Sequence, residues 1–266
     1  MMALLQAKEL DVSIGKRKLI TGLNIEIKAG ESWALLGRNG AGKTTLLHTL
    51  ARLRPSANGS IRLQGTAIEQ FSRKDLALHI GLLFQEGLSM LPTTVMETAM
   101  LGRYPHQQSW LWDTREDMEA ASAALRDFSL EELAQRSIET LSGGELQRLA
   151  LARLVAQAPI VYLLDEPSNH LDITHQLAGL LALQVRMRQQ QAAMMMATHD
   201  INLASRICDH VLLLGENGNF QVGSTEEVLT EANLSRAYDC EIRRIETDAG
   251  LFFTPVVPVS LADTAA

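Results

Sequence analysis

The sequence is short of three things: cysteine, long apolar runs and an excess of positive charge. Its two cysteines, Cys208 and Cys240, lie too far apart for a C-x-x-C redox pair or a metal knuckle, so we interpret both as structural residues of a reducing compartment. No run of 18 or more apolar residues is present, which excludes a helix that spans a bilayer by itself. The formal net charge of −7 argues against a nucleic-acid partner, because such binding relies on clustered Lys and Arg.

The composition is otherwise that of a globular protein, with 46% hydrophobic and 21% charged residues among 266. This length suits one large domain or two modest ones. The apolar stretch at the N-terminus is too short for a signal peptide and acidic residues follow it at once, which predicts a cytosolic protein. Any role at a membrane must therefore come through a protein partner.

Short apolar segments alternate with helix-like segments along the chain. Strands are predicted in "ESWALLG" (31–37), "SIRLQG" (60–65), "IGLLFQ" (80–85), "PIVYLLDEP" (159–167) and "AAMMMATHD" (192–200). The last two resemble buried strands of a parallel sheet, with a Leu- and Gln-rich helix between them and Met194, Met195 and Met196 in the core. Glu216-Asn217-Gly218 is a hairpin signal. The predicted fold class is α/β.

A helical insertion interrupts this pattern from Glu86 to about Thr140, where stretches such as "REDMEAASAALRDF" replace the strands. Residues 246–266 end in "LADTAA" and are expected to fray. The predicted division of the chain is an N-terminal part of the core (1–85), a helical subdomain (86–140), the rest of the core (141–230) and a C-terminal tail (231–266).

"GRNGAGKTT" (37–45) fits the phosphate-loop pattern G-x-x-x-x-G-K-[ST]. The predicted strand 31–37 precedes it, and a helix that Pro55 is expected to end follows it, with Leu46, Leu47, Leu50 and Leu53 at helical spacing. The simpler alternative is a Gly-rich turn that opens a helix, but both flanks favour a nucleoside triphosphate site.

Each position of this loop has a predicted use. Backbone N–H groups of residues 38–44 would converge on the β-phosphate, and the glycines would permit the close approach. Lys43 would reach the β- and γ-phosphates, and the Thr44 hydroxyl would hold Mg²⁺. The predicted ATP-binding residues are Gly37, Arg38, Asn39, Gly40, Ala41, Gly42, Lys43, Thr44 and Thr45.

Two adjacent carboxylates, Asp165 and Glu166, follow the predicted strand in "IVYLLDEP". Ligands of open α/β sheets gather at the carboxyl ends of the strands. Asp165 is expected to support Mg²⁺, and Glu166 to orient and deprotonate an attacking water. An acidic turn before Pro167 is the alternative, which the nearby phosphate loop makes the weaker explanation.

"LSGGELQRLALARLV" (141–155) predicts a helix whose capping box pairs Ser142 with Glu145. The box does not explain Gly143 and Gly144, since glycine weakens a helix by up to about 1 kcal/mol. Two bare glycines at a helix start suit a second anion site. The chain would then have two phosphate-binding helix ends and one pair of hydrolytic carboxylates.

Together these motifs resemble those of the ATP-binding cassette ATPases. "GRNGAGKT" is similar to their Walker A motif, "LLDEP" to Walker B and "LSGGE" (Leu141, Ser142, Gly143, Gly144, Glu145) to their signature. Gln85 matches the Q-loop, Asp172 the D-loop and His199 the switch histidine, over about residues 5–230. The implied fold is a P-loop NTPase (RecA-like) core with an antiparallel β subdomain and an inserted α-helical subdomain.

The resemblance implies a head-to-tail homodimer with two composite sites that hold ATP and Mg²⁺. The signature of one protomer would close over ATP on the Walker A motif of the other. Gln85 would sense Mg²⁺ and the attacking water, and His199 would contact the γ-phosphate. One position departs from the family: Ile14 stands where an aromatic residue usually stacks on adenine, which puts the strength and selectivity of adenine binding in question.

Within the family the chain resembles the ATPase subunits of type II importers for iron(III)–siderophores, haem or cobalamin. The likeness lies in "TVMETAMLGRYPHQ" (94–107) and in "GSTEEVLTEANLSRAYDCEIRRI" (223–245). It implies a peripheral place on the cytoplasmic face of the inner membrane, an integral membrane permease as partner and, indirectly, a solute-binding protein. Arg103, Tyr104 and Pro105 are expected on the permease-docking surface, and the cargo stays open.

A second hypothesis is a soluble cassette ATPase without a transport role, for example of the cluster-assembly type. The long coiled coil of the DNA-repair members and the paired cassettes of ribosomal members are absent from this sequence. A P-loop kinase would leave "LSGGE" without a purpose.

Overall fold

The computed structural model describes residues 3–85, 92–107, 114–169, 173–216, 218–248 and 250–256. An antiparallel sheet begins the chain, in the spatial order β2-β1-β4-β5. Its strands are β1 (Ala3–Ile14), β2 (Arg17–Lys28), β4 (Asn58–Leu63) and β5 (Thr66–Ala67). Alternate residues of β1 and β2 are buried, which is the pattern of strands with one face on a core.

A second, largely parallel sheet has the order β10-β9-β3-β8-β7-β6. Its strands are β3 (Ser32–Leu36), β6 (Ile80–Leu83), β7 (Val161–Asp165), β8 (Ala193–Ala197), β9 (His210–Leu214) and β10 (Phe220–Ser224). The predicted strands therefore form, and β10 pairs antiparallel with β9, which confirms the hairpin. A third, two-stranded sheet consists of β11 (Ile242–Thr247) and β12 (Gly250–Pro255).

Helices pack around the parallel sheet. They are α1 (Lys43–Leu50), α2 (Arg73–His79), α3 (Val95–Met100), α4 (Arg115–Asp127), α5 (Gly143–Gln157), α6 (Ile173–Gln189), α7 (Ile201–Ile207), α8 (Thr225–Val228) and α9 (Glu231–Tyr238). Short 3₁₀ segments lie at Ile68–Gln70, Leu101–His106, Glu131–Leu133 and Ile138–Thr140. None of the helices in the described residues is long and apolar enough to cross a membrane.

The two faces of the parallel sheet bury different residues of the same strand. Met194 and Met196 of β8 join one apolar cluster, with the helices α5 and α6, while Met195 joins another, with α1 and the antiparallel sheet. This alternation follows from the two-residue period of a strand. All three methionines are fully buried, so their expected place in the core is confirmed.

The 3₁₀ segment Leu101–His106 corrects one expectation about the docking surface. Arg103 is buried, and its Nε lies 2.9 Å from Asp117 Oδ1 while Nη1 donates to Ala156 O at 2.8 Å. Its charge is compensated inside the protein, so Arg103 belongs to the packing of α4 on α5 and not to a surface. Its neighbour Tyr104 is exposed.

Two further expectations were wrong. Helix α1 ends at Leu50, well before Pro55, because Leu53 and Arg54 donate their N–H groups back to His48 O and Arg52 takes a left-handed φ of +55°. Residues 246–248 and 250–256 do not fray either, since β11 and β12 pair along their length and Phe253 is buried. Residues 257–266 lie outside the described residues.

Candidate active site

Three neighbouring parallel strands end at the same edge of the sheet. The order β3-β8-β7 sets the phosphate loop after β3, His199 two residues after β8, and Asp165 and Glu166 at the end of β7. Because parallel strands point the same way, segments distant in sequence meet there. A cavity of about 320 Å³ opens at this edge.

Nine of the nineteen predicted site residues line this cavity. The lining residues are Ile14, Leu19, Asn39, Gly40, Gly42, Lys43, Thr44, Thr45, Gln85, Asp165 and Glu166. The sequence did not predict Leu19 as a site residue. It reaches the phosphate loop only because it lies near the start of β2. Ile14 is 50% exposed, so the cavity has an open aliphatic wall where the family usually has an aromatic ring.

Glycine is required in the phosphate loop for conformation and for space. Gly37 and Gly42 have φ angles of +145° and +109°, where side chains are rarely tolerated. A Cβ on Gly37 would lie 2.8 Å from Leu214 O, and one on Gly42 would lie 3.0 Å from Leu19 Cβ. The loop is thus packed against β2 on one side and β9 on the other.

Lys43 begins α1 and is almost buried, with 8% of its surface exposed. Its Nζ donates to Gly37 O at 2.8 Å and to Arg38 O at 3.4 Å, which folds the loop around the ammonium group. Burial lowers the pKa of Lys43, and the negative charges of Glu166 and Asp165 partly oppose that shift. The ammonium group faces both carboxylates across the cavity, where an anionic ligand would gain from it.

The two carboxylates have different surroundings. Asp165 is 1% exposed, and its Oδ2 has no hydrogen-bond partner among the described residues. Glu166 takes a left-handed φ of +49°, donates its N–H to Ala197 O at 2.9 Å and lies 2.9 Å from His199 Nδ1 through Oε2. A non-glycine residue in this region is strained, which is frequent at functional sites.

Some predicted residues lie outside the cavity. Arg38 and Ala41 line a neighbouring cavity of about 460 Å³, with Arg17, Lys18 and the β9–β10 hairpin. His199 reaches the site through Glu166, and Gly37 does so through Lys43. Asp172, the predicted D-loop residue, lies outside the described residues.

The start of α5 also lies outside the cavity. Ser142 Oγ accepts the N–H of Glu145 at 3.3 Å, and the Glu145 carboxylate accepts the N–H of Ser142 at 2.7 Å, which is the predicted capping box. These bonds hold the pKa of Glu145 below its usual range, chiefly through the Ser142 N–H. Ser142 and Gly143 are exposed, while Leu141 is buried and anchors the turn.

A second side chain that sequence reasoning missed joins α5 to the carboxylates. Gln147 is buried and donates from Nε2 to Pro167 O at 2.9 Å, directly after Glu166. A buried polar residue on the apolar face of an amphipathic helix was the available signal. Helix α5 and the turn that follows Asp165 and Glu166 are therefore held together within one chain.

Known proteins are similar to this chain in sequence. Residues 20–169 match the family model described as ABC transporter. The ferric enterobactin transport ATP-binding protein FepC of Escherichia coli (strain K12) is 36% identical over 264 residues, which cover 99% of this chain and 96% of that protein. The hemin import ATP-binding protein HmuV of Burkholderia lata is 34% identical, over 93% of this chain and 97% of its own.

A solved structure of the same family shares the fold. A solved ABC transporter in an inward-facing conformation, described as of the metal-chelate type, superposes with a TM-score of 0.84 at 27% identity, covering 97% of this chain and 99% of that one. The P-loop NTPase fold and the family resemblance expected from the motifs are thereby confirmed. The chain belongs to the ABC transporter family, as one of its ATP-hydrolysing subunits.

Proposed function

We propose that the chain is the ATPase subunit of an importer that takes up an iron(III)–siderophore, haem or cobalamin. The observation that carries this is the near-complete length over which the chain matches relatives named for ferric enterobactin transport, siderophore transport and hemin import. In this proposal a homodimer closes on two ATP molecules, hydrolysis reopens it, and a membrane permease follows the motion.

The cavity residues divide the work on ATP. Lys43 and the uncapped start of α1 bind the phosphates, because buried N–H groups and a cationic amine favour an anion there. Glu166 holds the attacking water and takes its proton, and His199 fixes the Glu166 carboxylate through their 2.9 Å contact. The strained backbone of Glu166 aims its side chain at the same cavity as Lys43.

The residues of the site fit Mg²⁺. Asp165 Oδ2 is buried and has no partner within the part of the chain that the structure describes, which is costly unless a cation or water satisfies it. Thr44 and Gln85 add oxygen atoms to the same cavity. Asp165, Thr44 and Gln85 would hold the ion. When bound, it would neutralise charge on the β- and γ-phosphates.

The homodimer is proposed because the two predicted phosphate-binding helix starts of one chain lie in separate places. Residues 141–145 do not line the cavity, yet Ser142 and Gly143 present an exposed helix start that suits a phosphate. A second chain arranged head to tail would bring its signature to this cavity. Asp172 is proposed to contribute at the same interface.

The permease is proposed to dock on the helical subdomain. Leu101, Tyr104 and Met118 are large, exposed side chains there, of the kind that mark protein interfaces. Docking at this surface would hold the chain on the cytoplasmic face of the membrane. A solute-binding protein would then act indirectly, through the permease.

The test is a tagged pull-down of the full chain from detergent-solubilised native membranes, with partners identified by mass spectrometry. We expect an integral membrane protein with many spans. A Tyr104→Glu variant should lose this partner and keep ATP binding, whereas Tyr162→Phe, a buried change, should keep both. Recovery of soluble partners alone would overturn the importer and favour a non-transport cassette ATPase.

A further inference from the structure

The C-terminal end of α9 lies beside the start of the phosphate loop. Asp239, which follows the helix in a left-handed conformation, brings Oδ2 to 3.7 Å from Arg38 Nη1. Ala237 lines the same 460 Å³ cavity as Arg38 and Asn39. A segment almost 200 positions away in sequence therefore contacts the loop where it leaves β3.

Tyr238 stands between these two residues and points its side chain inward. It packs against the apolar cluster, and its hydroxyl is buried without a hydrogen-bond partner in the described structure. Burial raises the pKa of Tyr238 to about 12; the backbone N–H of Gly37 faces the hydroxyl and opposes that shift, while the charges of Glu166 and Asp200 add to it. A buried hydroxyl without a partner is costly, so such a group needs an explanation.

Gly37 is therefore approached from two sides. Its carbonyl accepts the hydrogen bond from Lys43 Nζ at 2.8 Å, and its N–H faces the Tyr238 hydroxyl. If Lys43 turns towards a bound phosphate, Gly37 loses that hydrogen bond. A hydroxyl behind Gly37 can then hold the loop in place by accepting its N–H.

The segment after α9 also contacts the helix that follows His199. Asn202 of α7 donates from Nδ2 to Phe253 O at 3.1 Å and accepts the Phe253 N–H at 2.7 Å. The guanidinium of Arg206 stacks on the Phe252 ring, 4.7 Å from its centroid. The chain from α9 onward thus contacts both the phosphate loop and the helix that follows His199.

We propose that Tyr238 is a positioning residue for the ATPase reaction, whose hydroxyl holds Gly37 when nucleotide draws Lys43 away. The inference rests on the proposed nucleotide site. The Arg38–Asp239 ion pair is exposed and contributes little by itself, so the effect lies with the buried hydroxyl.

The experiment compares Tyr238→Phe with Tyr162→Phe in the full-length chain. Tyr162 is also buried, but its hydroxyl donates to Gln190 Oε1 at 2.9 Å. Removing the Tyr238 hydroxyl should leave Tm equal or higher, because no bond of the nucleotide-free protein is lost. It should raise the Kd and KM for Mg·ATP about 5-fold, the factor for one hydrogen bond of about 1 kcal/mol, with kcat within about twofold.

Tyr162→Phe should show the reverse pattern, with a lower Tm and an unchanged Kd for ATP. If Tyr238→Phe leaves the Kd for Mg·ATP unchanged, or if it lowers Tm, Tyr238 is a packing residue and the inference is overturned. Lys43→Ala separates this from the nucleotide site itself. If Lys43→Ala abolishes ATP binding while Tyr238→Phe binds normally, only the role of Tyr238 fails; if Lys43→Ala binds normally, the proposed site fails.

Discussion

Helices α1 and α5 both start at glycine-containing turns, but their first turns are satisfied in opposite ways. Helix α1 follows Gly42 in a left-handed conformation, without a side-chain cap and without an acidic residue in its first turn. Helix α5 follows Ser142 and has a complete capping box with Glu145. One helix start leaves its N–H groups open, and the other fills part of them from its own chain.

The surroundings explain why each solution is stable. Helix α1 buries Leu46, Leu47 and Leu50 completely between two sheets, so packing holds it without a cap. The start of α5 is exposed to water, where an uncapped end costs about 1 kcal/mol. The open start lies at the chain's own cavity, and the capped start is exposed, where the proposed dimer would bring it a ligand bound to a second chain.

The largest effect is expected when the cation at the open start of α1 is removed. Lys43→Ala should weaken ATP binding at least about 100-fold, because the change deletes charge-assisted hydrogen bonds to phosphate worth about 3 kcal/mol together. Titration calorimetry with Mg·ATP measures this directly. Lowered pKa and burial make Lys43 costly in the nucleotide-free protein, so Tm should not fall in parallel.

Lys74→Ala is the matched control. Lys74 is an exposed lysine of α2 whose Nζ donates to Gln107 O, away from the cavity. It should bind ATP as the unmodified chain does. Equal affinity in both variants would remove Lys43, and with it α1, from the nucleotide site.

The next largest effect is expected on ATP hydrolysis and on the proposed dimer. Glu166→Gln should lower hydrolysis by about 100-fold or more, because an amide cannot take a proton from water, while the cavity keeps its shape. ATP should then hold two chains together, with the capped start of one over the open start of the other. Light scattering with Mg·ATP should show the dimer, and phosphate release should show the lost rate.

Glu227→Gln is the control for the carboxylate. Glu227 belongs to a capping box with Ser224 at α8, outside both cavities. This variant should hydrolyse ATP at the normal rate and form no lasting dimer. A chain that stays monomeric as Glu166→Gln with saturating ATP would contradict the composite site.

The sequence predicts this edge of the sheet well because the chemistry there is local. A phosphate loop needs glycine at fixed spacing, and Asp165 and Glu166 must follow an apolar strand directly, so neighbouring residues carry the signal. The parallel strands were equally readable, since β7 and β8 are buried at every position. Even the capping box of α5 could be identified from its spacing.

The errors arise where long-range contacts decide the structure. β11 buries only Ile242 of its six residues, so no alternating pattern marks it as a strand, and its order comes from β12 and α9. Arg103 was expected at the surface, but it is buried against Asp117 and Ala156 O, which lie 14 and 53 positions away in sequence. The surroundings of Tyr238 could not be predicted for the same reason, since Gly37, which its hydroxyl faces, is distant in sequence.

The smallest effect is expected from a substitution in the capping box at the start of α5. Ser142→Ala removes the Oγ that accepts the Glu145 N–H, which should cost about 1 kcal/mol of unfolding free energy. It should also slow hydrolysis several-fold without changing the Kd for ATP of the monomer, because in the proposed dimer Ser142 contacts only the nucleotide bound to the other chain. Denaturant unfolding, calorimetry and the steady-state rate measure the three quantities.

Ser224→Ala separates the cap from the proposed contact across the dimer. Its capping box with Glu227 has nearly the same geometry. The two backbone N···O hydrogen-bond distances are 2.9 and 3.3 Å there, against 2.7 and 3.3 Å in the box of Ser142. The two variants should therefore lose comparable stability, while only Ser142→Ala loses activity. If both slow hydrolysis equally, the effect at Ser142 is lost stability, and the exposed start of α5 has no ligand in the dimer.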